Sequence, residues 1–255
     1  MNPKNNHPLN KSYSRTLHTT MGAPLSDITI YYEGLDSKED PETPITEARI
    51  TINYVCDFYH RMLMGYKPPK TSRICIHLAK EKKWDETWYF GSICHNSGTI
   101  DEDRYLSADG SDRLKYILEI LHHLCLELCD IYGWDSEIFE RSYQQLLEQN
   151  FIFTFAYPFK RSADKRTMAR VLIEKTIQTS TLFVEVVKDD STKKILLFTK
   201  RNWFWYDTIY DLAKNAKWLT RNAYGVSSKR TRKFGYYSIE DDVVIGDLKF
   251  GDTDF

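Results

Sequence analysis

Residues 112–132 read DRLKYILEILHHLCLELCDIY. Leu114, Ile117, Leu118, Leu121, Leu124, Cys125, Leu128 and Tyr132 recur at three- and four-residue spacing, which predicts a helix with a broad apolar stripe. Ser111 or Asp112 is suited to cap its start, and Gly133 stands where a left-handed C-terminal cap belongs. So wide a stripe calls for a helix lying largely buried on a sheet. The expectation is a sheet built by strands from both halves of the chain.

After the short Gly133-Trp134-Asp135 link, Asp135 can cap a second helix over 136–150. Its apolar face is Ile138, Phe139, Tyr143, Leu146 and Leu147, and Glu140, Arg141, Gln144, Gln145 and Glu148 fall opposite. Residues 112–150 are therefore expected to form a helical hairpin.

Strand patterns flank the hairpin. Upstream, 27–33 (DITIYYE), 47–59 (EARITINYVCDFY), 73–79 (RICIHLA) and 86–94 (ETWYFGSIC) read as a meander of about four strands. In 47–59, Ile50, Ile52, Tyr54 and Cys56 alternate with Thr51, Asn53 and Val55, a period of two. Downstream, 151–157, 168–177, 181–187 and 193–199 continue the pattern, with Asp189-Asp190-Ser191 as a hairpin turn. Residues 203–217 (WFWYDTIYDLAKNAK) predict a third helix, a basic loop runs to Lys233, and 236–245 is the last strand. The predicted class is α+β: a mainly antiparallel sheet with a central helical hairpin packed on it. Residues 1–24 are read as a flexible arm and 25–255 as one domain.

At 255 residues and 42% hydrophobic content the chain can bury a sizeable core. The formal net charge of −1 gives no global pull toward nucleic acid or anionic lipid. The odd set Cys56, Cys75, Cys94, Cys125 and Cys129 sits in apolar runs, which reads as reduced thiols of a cytoplasmic protein. No stretch approaches the ~18 apolar residues of a membrane span.

No complete catalytic or cofactor motif is present, so no catalytic residue, cofactor or metal is assigned. His122, Cys125 and Cys129 carry zinc-type donors on one side of a helix, but burial in the core explains the thiols equally well. Cys94-His95 is a nucleophile beside a base, yet neighbours on a strand point to opposite faces. Asp101, Glu102, Asp103, Asp109 and Asp112 suit a cation or, more simply, helix starts. A cysteine- or metal-dependent enzyme is thus kept only as an alternative.

Two segments suggest binding. Trp203-Phe204-Trp205-Tyr206 cannot all point inward, and at least one of Trp203 and Trp205 is expected to be partly exposed. The segment 214–233 holds basic residues and no acids, with Trp218 and Tyr224 interleaved and Lys229, Arg230 and Arg232 clustered at its end. Trp203, Trp205, Tyr206, Trp218, Lys229, Arg230 and Arg232 are the candidate partner-binding residues. They fit a protein partner, or alternatively single-stranded nucleic acid.

Residues 114–158 also have a recognisable order: an apolar helix, Gly133-Trp134-Asp135, the run EIFERSYQQL from Glu137, and an aromatic strand closed by Tyr157-Pro158. This order resembles bacterial proteins in the style of immunity proteins encoded beside polymorphic toxins. The resemblance implies a small cytoplasmic protein that binds and neutralises another protein. It carries over no functional residue.

Overall fold

The computed structural model describes residues 24–32, 44–202 and 208–248. Strand β1 (Asp27–Tyr32) alternates strictly, with Ile28, Ile30 and Tyr32 buried. Helix α1 (Pro44–Met62) follows where a strand was expected over 47–59. Its buried residues Ala48, Ile52, Val55, Tyr59 and the following Leu63 recur every three to four positions. Sidedness on both of its flanks lets the same residues mimic a period of two. The length of the run, well beyond the usual 4–8 residues of a strand, favours the helix.

Strands β2 (Arg73–Ala79), β3 (Trp88–Phe90) and β4 (Ile93–Thr99) complete a first sheet in the order β1-β2-β4-β3. Because α1 carries the chain back across the sheet, β1 and β2 are parallel, and β4 is parallel to β2. The expected upstream meander is therefore a mixed sheet with a helical crossover. The expected strand over 86–94 is a hairpin, broken at Gly91 (φ 59°) and Ser92 between β3 and β4.

Helix α2 (Glu102–Ser107) leads into α3 (Gly110–Tyr132) and α4 (Ser136–Glu148). Asp109, rather than Ser111 or Asp112, caps α3 by accepting from the Asp112 N–H; Gly133 closes it at φ 66°, and Asp135 caps α4. Along α3 the predicted stripe faces inward: Ile117, Leu118, Leu121, Cys125 and Leu128 are fully buried. The helix sits against β4, where Asn96 Nδ2 donates to the Leu124 carbonyl at 3.1 Å. Gly98 permits the approach, since a Cβ there would lie 2.5 Å from Leu124 Cδ1. All strands of this sheet precede residue 100, so the helix does not rest on a sheet shared by both halves.

The rest of the chain builds two antiparallel sheets. The second comprises β5 (Phe153–Ala156), β7 (Thr167–Lys175), β8 (Thr179–Lys188) and β9 (Ser191–Arg201) in that order, with β6 (Lys160–Arg161) on β7. Asp189 and Asp190 join β8 to β9 with φ of 48° and 61°, the primed turn that matches strand twist. After α5 (Ile209–Lys214) comes a meander of β10 (Lys217–Thr220), β11 (Ala223–Ser227), β12 (Phe234–Ser238) and β13 (Val243–Gly246). In the described residues the expected helix 203–217 is thus only α5. The expected basic loop folds as β10 and β11, and the expected final strand as a hairpin. The class is α+β, with helices against the first sheet and antiparallel sheets after them.

A buried polar joint ties these parts together. Asp57 of α1 accepts from Lys175 Nζ of β7 at 2.8 Å and from the Tyr210 hydroxyl of α5 at 2.6 Å. The Tyr54 hydroxyl, one turn earlier, lies 2.6 Å from the Phe151 carbonyl and 3.0 Å from that of Lys175. Among the described residues no helix is long and apolar enough to cross a membrane.

Candidate functional site

Side chains alternate along a strand, so the first sheet has two faces. Ile28, Ile30, Ile74, Ile76, Leu78 and Cys94 are buried on the side of α1 and α3. The other face carries Tyr31 beside His77, and Trp88 beside His95, by strand register. The four rings form a row across all four strands. Tyr31 stacks on His77 at 5.2 Å, His77 on His95 at 5.3 Å, and His95 lies flat on Trp88 at 3.8 Å and 2°. Trp84, from the connection before β3, sets its edge against His77 and Trp88. Tyr31, His77, Trp84 and His95 are half-buried, while Trp88 is 43% and Phe90 72% exposed on the same face.

The two histidines are in direct contact, His77 Nε2 to His95 Nδ1 at 3.0 Å. One imidazole donates and the other accepts, so the contact needs at least one neutral ring. Burial holds the His95 pKa below its ordinary value, which favours that neutral form. The Trp84 indole N–H is buried without an acceptor among the described residues. Such an arrangement offers ring edges, two hydrogen-bonding imidazoles and apolar area; the thiol on this face, Cys75 opposite His95, is buried and held protonated.

Four of the thiols, Cys56, Cys94, Cys125 and Cys129, belong to the core, while Cys75 lies on this face, opposite His95 in the β2–β4 register. All five cysteines are buried and free. Burial pushes Cys75 and Cys94 up to about 11 and Cys129 up to about 12, and raises Cys56 and Cys125 as well. They are protonated at neutral pH and poor nucleophiles. Cys94 faces the helices, away from His95, as strand alternation requires.

His122 is engaged by other partners than the cysteines of its helix. Its Nδ1 meets the Tyr59 hydroxyl at 2.8 Å, its Nε2 meets Glu140 at 3.3 Å, and Tyr143 stacks on its ring. Burial lowers its pKa although Glu140 opposes that shift. Four of the acids at 101–112 are likewise occupied: Asp101 and Asp109 cap α2 and α3, Glu102 takes Lys80 Nζ at 2.7 Å together with the Tyr32 hydroxyl, and Asp112 pairs with Lys115 at 3.5 Å. Among the described residues no three His, Cys, Asp or Glu side chains are placed to hold a metal ion.

Of the candidate partner-binding residues, Trp203, Trp205 and Tyr206 lie outside the described residues. Trp218 is half-buried, its Nε1 donating to the Lys160 carbonyl at 2.9 Å and its ring set edge-on to Tyr224. Lys229 and Arg230 are exposed and line a cleft of about 370 Å³ with Asp211, Asn215, Ser227 and Ser228. Arg232 is exposed in a left-handed turn at φ 61°.

The row on the first sheet was not anticipated. Its signal is faint but real: His77 takes an outward position in RICIHLA, and Trp84, Trp88, Phe90 and His95 fall within a dozen residues. Recognising it needs the β3–β4 hairpin, which brings Trp88 onto His95.

Comparison with protein-family models, with curated proteins and with solved structures finds no match.

Proposed function

We propose that this chain is a non-enzymatic protein-binding protein of the cytoplasm and that the helix-free face of its first sheet is the recognition surface. In its finer form the proposal is a toxin-neutralising immunity factor, which rests on the resemblance of residues 114–158. The observation that carries the binding reading is the exposure of Trp88 and Phe90 beside the stacked row. Large aromatic side chains clustered at a surface, with charges around them, are the usual anchors of protein interfaces. Lys80, Glu81, Lys82, Lys83, Asp85 and Glu86 supply a mixed rim on the adjoining connection. A partner carbonyl reached by a small movement of that connection would also satisfy the Trp84 N–H.

The stacking favours protein over nucleic acid at this face. A base needs a free ring face to stack on. Here the faces of His77 and His95 are taken up by their neighbours, which leaves only the end rings of the row with an outer face.

Co-expression with the product of the gene immediately upstream tests the proposal. A complex should co-migrate in gel filtration with the wild type, and Phe90→Asp or Trp88→Ala should weaken it by about tenfold or more, as loss of a central anchor does. Both variants should keep the wild-type circular dichroism. Absence of any complex would sink the immunity reading; a complex indifferent to both substitutions would remove this face from it.

A second reading is favoured by the cleft, where Lys229 and Arg230 stand exposed. It assigns single-stranded nucleic acid to segment 214–233. Binding of an oligonucleotide should then fall steeply with salt. No binding at about 50 mM salt, where electrostatic contacts are strong, rules it out.

A further inference from the structure

Strand β13 is the edge of the third sheet. Val243, Val244 and Ile245 are 45%, 42% and 38% exposed. The strand carries no Lys, Pro or bulge, the devices by which edges are usually protected. On the face of Val243 and Ile245, the stacked rings of Phe234 and Tyr236 extend the apolar surface onto β12.

The hydrogen-bonding phase of this edge follows from the ladder. The Asp247 N–H donates to the Phe234 carbonyl at 3.0 Å, so Phe234 and Asp247 form a bonded pair. Bonded and non-bonded pairs alternate in an antiparallel ladder. Tyr236 with Ile245 and Ser238 with Val243 are therefore bonded, and Val244 and Gly246 turn their N–H and C=O groups outward.

The flanks are acidic: Glu240, Asp241 and Asp242 before the strand, Asp247 after it. Asp242 is paired with Lys193, and Asp247 accepts from the Phe234 N–H at 2.6 Å. A second copy is disfavoured in one register: two-fold pairing centred on Val244 sets Asp241 of each copy opposite Asp247 of the other, and like charges directly opposite are destabilising. Pairing centred on Ile245 avoids that clash, so the oligomeric state of the wild type decides between a copy and a partner.

We propose that β13 captures an extended segment of another protein, one with β-branched residues at alternate positions and Lys or Arg at both ends. It adds as a fifth strand to the third sheet. Main-chain bonds to Val244 and Gly246 supply affinity, and the acidic flanks select the charge. This surface is independent of the first sheet.

The test is fluorescence anisotropy with a labelled peptide, Lys-Lys-Val-Thr-Val-Thr-Val-Lys-Lys, and its counterpart with Glu for every Lys. The Lys-flanked peptide should bind saturably, and the Glu-flanked one about tenfold more weakly or worse. Val244→Pro removes an outward N–H while sparing the bonds to β12, so it should weaken binding by a similar factor yet retain a cooperative melt. Should that variant fail to fold, Val244→Lys takes its place with the same expected loss. No saturation, equal affinity for the two peptides, or undiminished binding to the variant would overturn the proposal. So would a wild-type dimer in sedimentation velocity that Val244→Pro dissociates, which would assign the edge to a second copy.

Discussion

Asp57 shows how a single residue is set by opposed effects. Burial alone would raise its pKa, but Lys175 and Arg61 beside it, with hydrogen bonds from Lys175 and Tyr210, hold the carboxyl below its ordinary value. A carboxylate depressed in the folded state adds stability above its unfolded pKa of about 3.9, and that contribution is lost as pH falls through the folded value. Wild-type urea midpoints should therefore drop more steeply below about pH 4 than those of Asp57→Asn, which has no such proton to take up. At neutral pH, Asp57→Ala leaves Lys175 buried at 4% side-chain exposure without its carboxylate. The expected cost is about 3–5 kcal/mol, the range for breaking one half of a buried pair. Asp57→Ala with Lys175→Met should recover much of that loss, because the deeply buried ammonium is gone and Arg61, the other partner of Asp57, is 31% exposed and can be solvated. If the double variant is no more stable than the single, the joint is held by packing and the ion pair is incidental. None of this was legible in the sequence, since Asp57 and Lys175 are distant along the chain and each sits among ordinary neighbours.

Among the elements, legibility followed how many independent signals agreed. Helix α3 had a long stripe, an acidic start and Gly133 at its end, and α4 had Asp135; both stand where they were expected. The turn at Asp189-Asp190 was equally plain. Helix α1 was not: it is rich in β-branched residues and buried on more than one side, so its period of 3.6 is masked and packing decides the outcome. That single misreading hid the crossover and with it the parallel order of β1, β2 and β4. The packing of α3 on β4 gives a direct measurement. Leu121 is fully buried, and Leu121→Ala should cost about 2–5 kcal/mol in equilibrium unfolding. Gly98→Ala would push into Leu124, itself buried, and should cost about 1–3 kcal/mol as an overpacked site does. Near-zero changes at both positions would mean that the helix–sheet contact is not where the core lies.

At the scale of the whole molecule, the sequence pattern announced strands, helices and more strands, but not their partition into three sheets. Partition depends on which strand edges meet, and period-two patterns leave that open. The same limit hid the recognition face, which exists only once β3 folds back on β4. Whether the parts unfold together is a separate question. The buried apolar residues of all three sheets form one continuous cluster, from Ile28 through Leu121 and Val171 to Tyr224 and Tyr237. Polar ties run the same way: Asp57 with Lys175 and Tyr210, Lys160 Nζ to the Ala216 carbonyl at 2.6 Å, and Lys193 with Asp242. Exposing any one sheet would strip apolar area from the others, so partial unfolding is costly. The chain should therefore melt in a single transition, as expected for one domain over 25–255. Far-ultraviolet circular dichroism reports all strands and helices. Tryptophan fluorescence of a variant with Trp203, Trp205 and Trp218 all changed to Phe comes only from Trp84, Trp88 and Trp134 beside the first sheet. The two signals should share one urea midpoint, the usual test of two-state behaviour. Separated midpoints would show that the first sheet with its helices is a folding unit of its own despite the shared core and the Asp57 and Tyr54 contacts.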